Sequence, residues 1–87
     1  MARNPNKPRL DQYRVGSILE FKWGGKKKYS EFFQIIRIDQ LTRSKLYAIH
    51  FWRIGDPDPV DPMKTEWNGA NQVNQMLDDG QMVVVSY

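Results

Sequence analysis

The residues best equipped for chemistry in this chain are cationic and aromatic. Lys26, Lys27 and Lys28 follow a Gly24-Gly25 pair, Arg43 and Lys45 sit in a second polar segment, and Trp23, Tyr47 and Trp52 stand in the apolar runs next to them. Lysine and arginine contact phosphates, and aromatic rings give unpaired bases a surface to stack on. Together they support weakly sequence-selective, salt-dependent binding of single-stranded nucleic acid. Gly24-Gly25-Lys26 is not a nucleotide-binding loop, because the full GxxxxGK[ST] pattern and its following helix are missing. The glycines fit a hairpin turn better, with the three lysines projecting from its tip.

A second set of side chains points to a protein partner instead. Trp52 and Trp67 are the residue type favoured as interface anchors, and Asp56, Asp58 and Asp61 form an acidic knob between them. With Glu66 these carboxylates are the chain's acidic cluster, but the spacing lacks the central glycine and closing glutamate of a calcium loop, so no metal is expected. His50 is the single histidine and lies between Ile49 and Phe51. It has neither a serine elbow nor a second histidine beside it, so it reads as a structural residue. The chain is expected to be no enzyme and to need no cofactor.

Charge is unevenly distributed. Residues 1–28 carry eight basic groups against Asp11 and Glu20, whereas residues 54–87 carry Lys64 against six carboxylates, within a net charge of +3. Such a gradient steers a polyanion toward the first third of the chain unless folding cancels it. With no cysteine there is no disulfide, thiol nucleophile or cysteine metal site. No apolar run approaches the roughly 20 residues of a membrane span, and the first residues lack the apolar centre of a signal peptide. A soluble cytoplasmic protein without membrane partners is the expectation.

The elements that must position these groups follow from hydrophobic period. At 87 residues there is room for one small core. Residues 1–14, with Pro5, Pro8 and several cations, read as a flexible basic arm, and residues 15–87 as a single β-rich domain. Alternation predicts a strand over 17–23, with Leu19, Phe21 and Trp23 on one face. A second run, 29–39, is apolar on both faces, which requires a strongly curved sheet or a bulge. It places Tyr29, Phe33, Ile35 and Arg37 together and Phe32, Ile36 and Ile38 opposite. A third strand over 45–54 sets Tyr47, Ile49, Phe51 and Arg53 against Leu46, Ala48, His50 and Trp52.

Pro57, Pro59 and Pro62 then impose a rigid crossing. Beyond it, Asn68 or Asn71 caps a helix reaching Leu77 or Asp78, with Ala70, Val73, Met76 and Leu77 on its apolar face and Gly80 ending it. The run 81–87 supplies a last strand. The resulting order, β-β-β-α-β, defines a β-rich α+β protein. Its sheet is a small, strongly curved antiparallel one, or a partly open barrel that resembles the SH3-like and OB-like outlines. Both outlines host unrelated functions, so the resemblance carries no functional weight.

Phe21, Phe33, Ile35, Ile49 and Phe51 are the expected core, and Trp23, Tyr29, Tyr47 and Trp52 the rings left outside it. Val83, Val84 and Val85 lack a charge to protect a strand edge, so the last strand is either interior or covered, for instance by a homodimer formed through it. The leading expectation is thus a small non-enzymatic nucleic-acid-binding module. The alternative is a regulatory or inhibitory protein-interaction module.

Overall fold

The computed structural model describes residues 6–24, 29–41, 46–56 and 66–87. Five strands and one helix follow in the order β1 (Ile18–Trp23), β2 (Tyr29–Gln40), β3 (Tyr47–Arg53), β4 (Glu66–Gly69), α1 (Ala70–Asp78) and β5 (Met82–Ser86). The strands form one sheet in the order β4-β3-β2-β1-β5, every pair antiparallel. The sheet does not close into a barrel, since β4 and β5 end it on opposite sides. Among the described residues no helix is long and apolar enough to cross a membrane.

The core lies between α1 and one face of the sheet. Leu19, Ile35, Ile49 and Phe51 meet Ala70 and Val73 of the helix and Met82 of β5, while Phe21 and Phe33 pack half-buried against them. The apolar side of the helix follows from the spacing of Ala70, Val73, Met76 and Leu77, and burying it on the sheet is what stabilises a helix of only nine residues. Its opposite surface is polar.

A bulge explains the two apolar faces of β2. The register with β3 runs Ile35 to Phe51 and then Arg37 to His50, which leaves Ile36 without a partner position. The extra residue inverts the alternation. Ile35 and Ile38 consequently both reach the helix-covered side, and Arg37 passes to the other one. The bulge is one of the two arrangements expected of this strand, and it corrects the face grouping read by simple alternation, which set Arg37 with Ile35 and Ile38 with Phe32.

Three further features depart from expectation. The Glu66–Gly69 strand was not expected, and the observed order is therefore β-β-β-β-α-β. Its four residues carry no strong strand signal; they extend because pairing with β3 satisfies backbone groups at that edge. The helix is capped by extended Gly69 and by no side chain, with Asn68 inside β4 and Asn71 inside the helix. Finally, residues 6–14, assigned from sequence to an arm, include the fully buried Tyr13. The phenol hydrogen-bonds Asn74, and Arg9 makes a two-pronged contact with Asp78 at 2.7 and 3.0 Å.

Candidate functional site

The ring cluster at the free end of β1 and β2 is the most developed surface feature. Alternation sends Phe21 and Trp23 to the helix side of the sheet, but α1 reaches only about 13 Å and lies against β3, β4 and β5. Trp23 thus emerges beyond the helix, 41% exposed. Its cross-strand partner Tyr29 is 55% exposed, and the two rings are stacked at 6.0 Å with a 24° interplanar angle. Phe21 meets the same indole edge-on at 4.6 Å. Trp23 is therefore held from two sides while its remaining surface is open, the arrangement of a pre-positioned stacking platform.

Beside Trp23 a cleft of about 350 Å³ opens between helix and sheet. Its floor is aromatic, from Phe21, Trp23, Phe33 and Phe51; Glu66 and Asn68 of β4, Gln72 and Met76 of α1, and Met82 of β5 form the walls. Glu66 and Asn68 face the cleft because they stand opposite Phe51 and Ile49 in the ladder, whose side chains share that face. Among the described residues the polar groups of Glu66, Asn68 and Gln72 have no side-chain partner. The cleft thus combines an apolar floor with unspent hydrogen-bonding capacity at its rim.

The three rings expected to form one platform are not brought together. Trp23 pairs with Tyr29 and Tyr47 with Gln40, so they stand at opposite ends of β2, roughly 35 Å apart along the strand. Tyr47 is half-buried against the core. Trp52 lies on the sheet's other face, and its indole N–H donates to the Asp56 carbonyl at 3.2 Å. Lys26, Lys27, Lys28, Arg43 and Lys45 lie outside the described residues. Tyr29, expected only as an outer ring, joins Trp23 in the candidate site, and its place beside the lysine run is the sequence signal for it.

In the alternative set, Trp67 is 52% exposed on the helix-free face, 6.4 Å from His50 between ring centres. Asp56 is not a free acidic knob. Its carboxylate accepts from Arg53 at 3.0 and 3.2 Å, and Arg53 also reaches Glu31 at 3.4 Å. The hydrogen bond and charge of Asp56, followed by those of Glu31, raise the Arg53 pKa, so this cation remains charged. Asp58 and Asp61 lie outside the described residues.

The bulge assembles one cluster that sequence did not reveal. Arg37 Nε lies 2.6 Å from Asp39 Oδ2, and the same oxygen is 3.2 Å from His50 Nε2. His50 Nδ1 is buried without a hydrogen-bond partner among the described residues. Arg37 and Asp39 are an i, i+2 pair and were recognisable as neighbours; the approach of His50 required the shifted register. Among the described residues no three His, Cys, Asp or Glu side chains converge as metal ligands would.

No family model matches the chain, and neither a curated protein nor a solved structure was found to match it.

Proposed function

We propose that the protein is a small non-enzymatic module that binds single-stranded nucleic acid at the free end of β1 and β2. The observation that carries this reading is the stacked, exposed Trp23–Tyr29 pair, because the segment joining these two rings is Gly24-Gly25-Lys26-Lys27-Lys28. Rings and cations are therefore neighbours by covalent connection, and a strand stacking on the former brings its phosphates to the latter. Arg43 and Lys45, in the connection between β2 and β3, serve as additional phosphate contacts. Trp23 and Tyr29 take the stacking role, in place of a platform shared with Tyr47 and Trp52.

The test is fluorescence anisotropy of a labelled single-stranded octamer, DNA and RNA, over a range of salt. Trp23→Ala is expected to weaken binding by roughly 5-fold to 100-fold, the worth of one stacked base. Replacing Lys26, Lys27 and Lys28 by Gln should flatten the slope of log affinity against log salt by about 2. An unchanged slope in that variant excludes the lysines as phosphate contacts.

A second reading, regulatory or inhibitory binding to another protein, is favoured by Trp67, whose exposed ring stands over His50 on the sheet face without a helix. Trp52 and Asp56 would border that contact, with Asp58 and Asp61 beyond it. Trp67→Ala then abolishes a protein complex and leaves oligonucleotide affinity untouched. A partly open SH3-like or OB-like outline belongs to the same proposal. It is supported by the meander from β1 to β4 and the return of β5 to β1.

A further inference from the structure

We infer that the cleft beside Trp23 admits one nucleobase and selects a base that presents adjacent N–H donors, guanine before adenine or cytosine and all three before uracil or thymine. This rests on the nucleic-acid reading above and adds to it a base preference set by hydrogen bonding to Glu66, beyond the modest one that stacking strength produces. A volume of about 350 Å³ is at the small end for ligand sites, which run from about 300 to 1,000 Å³; it suits a single nucleoside and not a helix or a duplex edge.

The polar rim sets the preference. A carboxylate has only acceptors, so Glu66 must be matched by donors. Guanine offers two in line, N1–H and the N2 amino group, which a carboxylate accepts side by side. Adenine and cytosine offer one amino group each. Uracil and thymine offer a single N–H flanked by two carbonyl oxygens, which face the Glu66 oxygens with like partial charge. Asn68 and Gln72 carry both donors and acceptors and serve the remaining base edge. Glu66 and Asn68 are rooted on β4, paired with Phe51 and Ile49, which fixes their approach more tightly than a loop would.

A cationic side chain of a protein would also satisfy Glu66. Against it stand Lys26, Lys27 and Lys28 in the segment between Trp23 and Tyr29, which repel a cationic peptide and attract a phosphate chain.

The experiment compares the full chain's affinity for four labelled octamers that are thymine throughout except for one central guanine, adenine, cytosine or thymine. The guanine octamer is expected to bind at least about fivefold more tightly than the all-thymine one, the discrimination a bidentate base contact provides. Glu66→Gln should reduce that ratio to near one, with its thermal midpoint confirming an intact fold. The triple lysine variant should weaken all four octamers and preserve the ratio. Equal affinities, or a ratio unaffected by Glu66→Gln, overturn base selection while leaving nucleic-acid binding in place. Failure of every octamer to bind overturns both. Glu66-dependent binding of an arginine-rich peptide, with no preference for guanine, also overturns base selection and assigns the cleft to a cationic protein segment.

Discussion

The Tyr13 hydroxyl donates to Asn74 Oδ1 across 2.8 Å in the buried core, joining the segment before β1 to the middle of α1. Asn74 Nδ2 makes the same connection by donating to the Lys7 carbonyl, and the Tyr87 hydroxyl ties the segment to the residue after β5 by donating to the Leu10 carbonyl. Removing one partner of a buried hydrogen bond leaves the other incompletely solvated. Tyr13→Phe is therefore expected to lower stability by about 1–3 kcal/mol, read from the urea midpoint. A chain beginning at Val15 loses the ring as well and should not unfold cooperatively. Wild-type stability in that truncation would restore residues 1–14 to the status of a dispensable arm.

The same phenol gives stability a pH dependence. Burial, the largest influence, raises the Tyr13 pKa above its ordinary 10.0, against the lowering effects of its contact with Arg9. The folded protein thus retains a proton that the unfolded chain releases as pH passes 10.0, and the unfolded state binds fewer protons there. Stability contributed below that pH is lost as pH rises through the higher folded value. Denaturant titrations from neutral pH to above 10.0 should show a decline that is shallower in Tyr13→Phe; parallel curves would contradict this assignment.

Local periodicity made much of the fold legible, and pairing decided the rest. The faces of β1 and β3 follow directly from alternation, as does the helical side bearing Ala70 and Val73. Yet alternation within β3 does not reveal which of its faces matches that of β1. That depends on register through β2, so Trp52 was grouped with Trp23 although the sheet separates them. A bulge is one of the two arrangements that the apolar faces of β2 call for, but its place at Ile36 was hidden for a related reason, since nothing in QIIRID shows which isoleucine loses its partner. Tyr13 stood among prolines and cations without a periodic apolar neighbour. Trp23 was legible as a ring left partly outside the core, but the cleft walls come from Glu66, Asn68 and Gln72, brought to it by β4 and α1.

Two glycines allow a direct comparison of backbone requirements. Gly80 has φ +76° just after α1, where its N–H donates to the Leu77 carbonyl at 3.2 Å. Gly80→Ala should destabilise by about 1 kcal/mol, because the left-handed conformation opposes a Cβ even where space is open. Gly24 is outside that region, and a Cβ there meets nothing within 4 Å among the described residues. Gly24→Ala is expected to change stability by less than about 0.5 kcal/mol. Thermal midpoints of the two variants test the contrast, and equal losses would refute it.

The final expectation concerns the open side of β5. Met82–Ser86 pairs with β1 and forms one end of the sheet, and its residues carry no charge. Val83 and Val85 are 36% and 48% exposed, so apolar side chains accompany an edge that no further strand pairs among the described residues. The proposed homodimer joins two such edges in antiparallel fashion about a two-fold axis, extending the sheet across both copies. Sedimentation should then show mass rising toward that of a dimer with concentration. Val85→Lys, which places a solvated cation at an already exposed position, should shift the equilibrium to monomer without lowering the thermal midpoint of the dilute protein. If the wild-type chain sediments as a monomer at every concentration, or if Val85→Lys dimerises equally well, β5 is not the contact.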